Sequence, residues 1–530
     1  MREAASRITV RSNSTEWQLP LITGASIREL LDATHLRVRA SCGGTGGCGA
    51  CTIRLVSGNA TPLTHAEREK LSPEQQQQGY RLACQLRPVG SCLLELDDPA
   101  PLSAWRTIPA DELHPVHRSS LASWASPLGV AVDLGTTHLR VSLWNRHRRL
   151  ACRLGINPQV IHGADILNRL HEASRDPQRA EALSDLARQA ISEALLDMLT
   201  RDLGEPAMFK KIGRVMIVGN TAMLTLLAGN GSVRLLDPEG WDPGLVCQPR
   251  DPERWQGRWG LPNGRIILVP PVDGFIGSDL LACVVATRLI EAPPGAMLLD
   301  LGTNIELALW DGRWLHVAST PGGPAFEMSG IRHGLPIDTP GAVTHLYESG
   351  EDLEFITSGH GPPQGYCGTG LLDAIAVLCR RQLLKPSGRF AIPVTDGGFP
   401  LDPDNPATAI TGRDVDQFQR AKAACAAAVE TLLDHAGLHP GRLHGLWLCG
   451  AFGAGLDVEN ARQLGLLPSL DPDRIRKMPG AALAGCESLL GVSEHTDPLA
   501  GLRARMRPVH LATHERFEDL FIRHLRLTIP

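Results

Sequence analysis

Apolar and polar positions alternate with a period of two over Arg7–Ser12, Glu16–Leu21 and Thr52–Val56, which predicts half-buried strands near the start of the chain. Ser26 stands where it can cap a helix from Ile27 to Ala33, and Thr64 with Glu67 has the spacing of a capping box. The glutamines Gln75–Gln78 read as a solvated helix end or loop. From Asp97 to Gly129 neither period holds. Pro99, Pro101, Pro109, Pro115 and Pro127 fall among serines, as in a linker, and Trp105 and Trp124 read as apolar anchors that dock it onto a neighbouring domain. Beyond the linker the runs starting at Val130, Val215, Ile266, Met297 and Leu446 are nearly all apolar, the pattern of strands buried on both faces. Between them, Pro177–Leu203 places Leu183, Leu186, Ala190, Ala194 and Met198 at helical spacing. That alternation predicts two α/β halves.

The 530 residues allow three or four domains at roughly 150 each. A net charge of −5 with only 4% aromatic residues lacks the basic, stacking surface of a general nucleic-acid binder. The longest apolar runs, such as Leu280–Ala286, are the size of helix cores, far short of the roughly 18 residues that span a bilayer, so no membrane association is expected. No apolar stretch follows Arg2, Glu3 and Arg7, so no secretory signal is read and a cytoplasmic location is expected. Thirteen cysteines, an odd number, argue for metal or core roles over a disulfide framework.

Four of them form a pattern. Five residues separate Cys42 from Cys48 and two separate Cys48 from Cys51, and Cys84 follows, a plant-type 2Fe-2S ligand spacing with one extra loop residue. Gly43, Gly44, Gly46, Gly47 and Gly49 supply the positive φ and close backbone approach that wrapping a cluster needs. A zinc knuckle would call for two Cys-x-x-Cys or Cys-x-x-His arms, and one is present. With the strand and helix pattern around it, the segment predicts an α+β, β-grasp ferredoxin domain over residues 1–97. Cys92 reads as a core thiol, and none of the nine cysteines outside the ligand set has motif spacing.

After a linker at 98–128, a buried strand ends in Asp133-Leu-Gly135-Thr136-Thr137, and the same pattern returns as Asp300-Leu-Gly302-Thr303-Asn304. An internal duplication explains the pair. Such a hairpin can grip a nucleotide phosphate: glycine admits close backbone approach, threonine offers a hydroxyl, and the aspartate holds hydrated Mg2+. A third apolar run then breaks into Gly450-Ala-Phe-Gly453. In this order the three resemble the phosphate-1, phosphate-2 and adenosine motifs of the superfamily of acetate and sugar kinases, heat-shock ATPases and actin. The small-residue helices around Gly277–Ala286 and Gly480–Gly485 resemble its two connecting helices, which cross at the hinge. The resemblance implies a duplicated ribonuclease H-like, actin/heat-shock-type ATPase, with a first half at 129–292, a second at 293–530, and ATP between them.

The whole chain resembles the ATP-dependent reductive activators of corrinoid proteins. Matching stretches include Asn157-Pro-Gln with Gly163-Ala-Asp165, Val218-Gly-Asn-Thr-Ala-Met223, Pro271-Val-Asp-Gly-Phe-Ile-Gly277, Gly323-Pro-Ala-Phe-Glu327, Cys367-Gly-Thr-Gly-Leu-Leu-Asp373, Ala421-Lys-Ala-Ala424 and Leu456-Asp-Val-Glu-Asn-Ala461. The resemblance implies one-electron reduction of a Co(II) corrinoid to Co(I) for a methyltransferase system, an upstream electron donor, and a homodimer. The alternative is ATP-dependent electron donation to another low-potential metalloenzyme, or a redox carrier whose nucleotide half only regulates. Asp133, Asp300 and Glu327 are the candidate catalytic residues, with Asp273 a further candidate for positioning water. His138 and Ile305 depart from the family pattern. A β-branched residue cannot take the φ of the glycine usual after Asn304, which predicts slower or altered hydrolysis. Pro238–Pro262, with Trp241, Trp255 and Trp259, reads equally as a partner-facing insertion or as structural docking.

Overall fold

The computed structural model describes residues 7–12, 15–32, 36, 38, 46, 49, 51–97, 105–108, 113–116, 127–163, 166–237, 247–328, 330–337, 339–350, 352–492 and 499–527. The chain divides into two compact units, one of residues 1–109, 117–274 and 489–493, the other of residues 110–116, 275–488 and 494–530.

The first unit contains two sheets. Strands β1 (Arg7–Ser12), β2 (Thr15–Pro20), β3 (Thr52–Ala60), β4 (Tyr80–Leu82) and β5 (Pro88–Glu95) form one, in the order β2-β1-β5-β3-β4. The predicted alternation is seen in β1, where Ile8 and Val10 point into a core that they share with Ile27, Leu31, Ile53, Leu82 and Leu94. Helix Ile27–Asp32 supplies Ile27 and Leu31, completing a β-grasp arrangement. Both halves of the Thr64–Glu67 capping box form, and Ser72 with Gln75 makes a second one, so the glutamines belong to a short capped helix, Pro73–Gln77. Cys92 is buried in this core, as expected, and burial raises its thiol.

The other sheet comprises β6 (Arg106–Thr107), β7 (Leu128–Leu134), β8 (His138–Trp144), β9 (Arg149–Ile156), β10 (Ile212–Gly219) and β11 (Arg265–Leu268), ordered β11-β10-β7-β8-β9-β6. Every residue of β7 is buried, which is why its sequence shows no alternation. Helix Pro177–Arg201, capped by Asp176 with proline in its first turn, buries Leu183, Ile191, Ala194 and Met198 in the same core. One linker expectation changes here. Residues 106–107 are an edge strand paired with β9, and Trp105 packs so closely on Gly155 that a Cβ there would lie 2.4 Å from its ring. Trp105 therefore docks as anticipated, while Trp124 lies outside the described residues. Trp255, in helix Pro252–Gly257, and Trp259 are buried edge to face with centroids 5.5 Å apart, and the Trp255 indole donates to the Leu227 carbonyl at 3.0 Å. These two tryptophans follow the docking alternative; Trp241 lies outside the described residues.

The second unit repeats the plan. Strands β12 (Ala296–Leu301), β13 (Ile305–Trp310) and β14 (Leu315–Thr320) form an antiparallel meander. Small sheets follow, of β15 (Ala342–Ser349), β16 (Asp352–Thr357) and β17 (Gly365–Tyr366), and of β18 (Phe399–Pro400) and β19 (Ala409–Ile410). Strands β20 (Gly445–Cys449), β21 (Ile475–Lys477) and β22 (Met506–Pro508) then complete the order β21-β20-β12-β13-β14-β22. The first five positions repeat the order and strand directions of the first unit, so the duplication inferred from two short motifs extends to five strands of each sheet. The outermost strands differ: β6 precedes β7 in the chain and runs antiparallel to β9, whereas β22 closes this sheet parallel to β14. Helices Ser278–Thr287 and Ala481–Leu489 touch where small residues meet: a Cβ on Gly485 would lie 1.9 Å from the Ala282 carbonyl oxygen. Among the described residues no helix is long and apolar enough to cross a membrane.

The Gly485 contact predicts a measurable asymmetry. Gly485→Val forces two helix backbones apart and should destabilise the full chain by about 1–3 kcal/mol, the range for overpacking. Gly412→Ala, at a helix start with open space around its Cβ position, should be neutral or slightly stabilising. Thermal denaturation followed by circular dichroism compares the two; equal midpoints would refute the contact.

Candidate functional site

Cys51 and Cys84 are brought together. Cys51 immediately precedes β3, Cys84 follows β4, and the two strands pair so that the Ala83 amide donates to the Cys51 carbonyl at 2.7 Å. Both thiols are buried, with sulfurs 3.3 Å apart. The Cys84 turn is held from both sides: Arg28 N–H donates to the Ala83 carbonyl and Ile27 N–H to that of Leu86. Beneath it lies the Glu67 carboxylate, fully buried, which accepts from Arg81, from Leu82 N–H at 3.1 Å and from Thr64 N–H at 2.8 Å. Gly46 and Gly49 have φ of +81° and +68°, and a Cβ on Gly46 would lie 2.7 Å from that of Ala66. The Gln85 amide donates to the Cys84 sulfur at 3.6 Å. Two converging thiols, left-handed glycines and an N–H donor at sulfur are what a 2Fe-2S cluster requires of its cradle. Cys42, Cys48, Gly43, Gly44 and Gly47 lie outside the described residues.

In the first unit, Asp133 ends the buried strand β7 and pairs in register with Arg140 of β8, whose guanidinium donates to its Oδ2 at 3.3 Å. Burial pushes the Asp133 carboxyl up, and the charge and hydrogen bond of Arg140 only partly offset this. The turn that follows has no space for a side chain at Gly135, where a Cβ would lie 2.6 Å from the His138 carbonyl oxygen. Gly135 N–H closes the hairpin on that same oxygen at 3.0 Å. Three residues from other elements fix the loop: Asn157 donates to the Gly135 and Thr137 carbonyls, Arg169 to that of Thr136, and the Asn220 amide to the Thr136 hydroxyl at 2.9 Å. Asp273 is in this unit, its carbonyl bonded by the Thr221 hydroxyl at 2.6 Å.

In the second unit Asp300 ends β12, opposite Glu306 of β13 and beside Cys449 of β20. Residues in register share a sheet face, so the place that Arg140 takes beside Asp133 is here taken by a second carboxylate. Gly450 has φ of +77°, and a Cβ there would lie 2.6 Å from Asp300 Oδ1, so the glycine after β20 is dictated by the carboxylate of β12. The thiol of Cys283, fully buried on helix Ser278–Thr287, donates to Asp300 Oδ2 at 3.3 Å. Its hydrogen bond with Cys449, burial and the Asp300 charge all push that thiol well above its ordinary range. Thr303 in the turn donates its hydroxyl to Glu327, 2.8 Å from each carboxylate oxygen, uniting two predicted residues. Gly302 N–H bonds the Asn304 carbonyl at 3.1 Å to close the hairpin, and Gly453 lies in the helix Gly450–Gly455.

Ile305 corrects an expectation. It is the first residue of β13, pairs with Leu301 and Thr320, and is fully buried. The described non-glycine residues with positive φ are Arg288, Met328 and Gln382, so the backbone here asks nothing of Ile305 that only glycine could give. His138, likewise, is the first residue of β8 and is half-buried. Arg140, Arg169 and Cys283 carried no motif. Asn220 had a usable signal, a helix-capping residue between a buried strand and an apolar helix.

Comparison with known proteins agrees with this geometry. Residues 10–89 match the family model of the 2Fe-2S iron-sulfur cluster binding domain, residues 128–292 that of the RACo middle region, and residues 295–529 that of the C-terminal domain of RACo, the ASKHA domain. The chain is similar to the corrinoid activation enzyme RamQ of Eubacterium limosum, with 26% identity over 436 residues, covering 74% of this chain and 69% of that protein. It is similar also to the [Co(II) methylated amine-specific corrinoid protein] reductase of Methanosarcina barkeri, with 26% identity over 434 residues, 74% of this chain and 76% of that one. The solved structure of a reductive activator for corrinoid, iron-sulfur protein shares the fold with a TM-score of 0.67, at 23% identity and covering 99% of this chain and 98% of that one.

Glu67 gives this site a pH signature. Burial raises its carboxyl, but hydrogen bonds from Arg81 and from the Thr64 and Leu82 amides outweigh that and hold it below the usual carboxylate range. A carboxyl with a lowered folded pKa contributes stability that is full above its unfolded value, near about 4.3, and is lost as pH falls through the folded value. Glu67→Gln leaves Arg81 buried without its counter-charge and should cost about 3 kcal/mol at neutral pH. Its thermal midpoint should drop there and approach that of the unsubstituted chain in acid; a constant difference from pH 7 to pH 3 would refute the assignment.

Proposed function

We infer that this chain, which belongs to the RACo family by its middle and C-terminal domains behind a 2Fe-2S domain, is an ATP-dependent reductive activator of a corrinoid protein. It returns a corrinoid that has slipped to Co(II) to the Co(I) state that a methyltransferase system uses. The observation that carries this reading is the presence, in one chain, of a buried cysteine cradle and two matching strand–turn–strand loops, each ending a buried strand in an aspartate.

Cys42, Cys48, Cys51 and Cys84 are proposed as the ligands of a 2Fe-2S cluster, which supplies a one-electron carrier when bound. The Gln85 amide and the turn braced by Glu67 orient Cys84 and keep water from the sulfurs. Gly135, Thr136 and Thr137 in one half, and Gly302, Thr303 and Asn304 in the other, are proposed to take the phosphates of Mg-ATP, with Asp133 and Asp300 toward the magnesium ion and Gly450 to Gly453 toward the adenosine. Glu327, held by the Thr303 hydroxyl, is proposed to position the attacking water. The nucleotide is needed because plant-type clusters sit near about −400 mV. For a corrinoid couple below that potential, each roughly 59 mV of gap costs tenfold in equilibrium for one electron. The cytoplasm, a homodimer and an upstream donor complete the proposal.

Anaerobic spectroscopy of a Co(II) corrinoid protein from a methyltransferase system, mixed with reductant, this protein and ATP, tests it. Co(I) absorbance should grow only with both ATP and an intact cluster. Cys48→Ser should bleach or shift the visible spectrum and abolish Co(I) formation, whereas Cys92→Ser should leave both unchanged. Asp300→Ala should lower ATP turnover at least tenfold while keeping the cluster spectrum. Co(I) formation by Asp300→Ala at the unsubstituted rate would leave a simple electron carrier as the better description.

A further inference from the structure

The described cysteines outside the cluster cradle are all buried thiols, and one of them touches the second phosphate loop. Cys283 lies one residue after Ala282, where the helix Ser278–Thr287 meets Gly485 of the helix Ala481–Leu489 with no room for a side chain. Its carbonyl accepts from the Thr287 hydroxyl at 2.8 Å, at the end of the helix where Arg288 turns the chain with φ of +54°. The backbone at Cys283 is thus fixed on both sides. From there the sulfur reaches Asp300 Oδ2 at 3.3 Å, while Oδ1 stands over the bare Cα of Gly450. The carboxylate is held at one oxygen by a thiol and crowded at the other by the adenosine-side glycine.

A thiol does something here that a cationic partner would not. Arg140 meets Asp133 as a charge and takes up part of its attraction for a cation. The S–H of Cys283 is a weak, neutral donor, able to fix a rotamer without itself adding a positive charge beside Asp300. Glu306 in register beside Asp300 adds to that negative field. We propose that Cys283 is a positioning residue for the ATPase reaction: its thiol orients the Asp300 carboxylate toward the magnesium ion of Mg-ATP and ties that orientation to the crossing of the helices Ser278–Thr287 and Ala481–Leu489.

The inference rests on the ATPase reading and is tested separately from it. In the full chain, Cys283→Ser keeps a hydrogen-bond donor, Cys283→Val keeps bulk without one, and Cys283→Ala removes both. ATP hydrolysis is measured against Mg2+ concentration at saturating ATP, with the cluster absorbance and thermal midpoint of each chain recorded. The valine and alanine chains should need roughly three- to tenfold more Mg2+ for half-maximal turnover, the range that one net hydrogen bond supplies. The serine chain should stay within about twofold of the unsubstituted protein on the same scale. A purely structural role would lower the midpoint of the alanine chain without moving the Mg2+ requirement of the valine chain. An unshifted Mg2+ requirement in Cys283→Val, or a shift as large in Cys283→Ser, overturns the role of the thiol; should the valine chain not fold, the alanine–serine comparison decides in the same way. An unsubstituted chain that neither binds nor hydrolyses Mg-ATP overturns the ATPase reading and this inference together.

Discussion

Each duplicated half carries a carboxylate at the penultimate residue of a central, largely buried strand, and the cost of holding a charge there organises what surrounds it. The apolar run cannot be shortened, because Leu128–Leu134 and Ala296–Leu301 are the spines on which both sheets form. The turn cannot be loosened either. Gly135 closes against the His138 carbonyl and Gly450 against Asp300 itself, so the backbone comes within contact distance where phosphate chemistry is proposed. Helices, caps and loops from elsewhere in each unit then converge on these two points.

The halves answer that cost differently. Around Asp133 the solution is neutralisation and wiring: Arg140 across the strand pair, with Asn157, Arg169 and Asn220 on the loop's oxygens. Such a loop is pre-organised without a ligand. Around Asp300 the register position opposite holds Glu306, and the thiol of Cys283 donates to the carboxylate. Two acidic groups thus share one sheet face, with oxygen atoms of the kind a divalent cation takes as ligands. The two loops of the duplication differ, in this chain, in what stands in register beside the aspartate: an arginine in one, a glutamate in the other.

How much of this was legible beforehand follows from what sequence patterns encode. Continuous apolar runs gave the central strands, because burial on both faces leaves a one-dimensional signature, and the Asp-x-Gly-Thr repeat gave the loops, because turn chemistry is local. The capping box at Thr64–Glu67 was visible, but the use of Glu67 was not. Its partners Arg81 and Leu82 are distant in sequence and are brought in by strand β4. Arg169 and Cys283 were invisible for the same reason: a single buried polar residue on a helix has no period of its own. Ile305 was over-read in its backbone demand, since neither it nor the turn residues Gly302, Thr303 and Asn304 before it take a left-handed φ. Trp105 was identified as an anchor and Trp255 left open between docking and a partner-facing insertion, and only packing showed that one core receives both.

The same contrast bears on how ATP could influence an electron that must move uphill. A loop already satisfied by its own protein, as around Asp133, changes little when nucleotide arrives, because its hydrogen bonds are made beforehand. A ligand shifts an equilibrium only by its differential affinity for the two states. On the proposed function, Asp300 is a contact that a magnesium ion would make in the liganded state alone, and Glu306 stands in register beside it. Cys283 joins this carboxylate to a helix crossing set by the absence of a side chain at Gly485. Any change that a magnesium ion imposes on Asp300 therefore reaches a contact with no slack, where helix backbones must move as bodies because no side chain lies between them to absorb the shift. On the proposed function, Cys283 and the bare Gly485 are the route by which the second loop reaches that helix crossing.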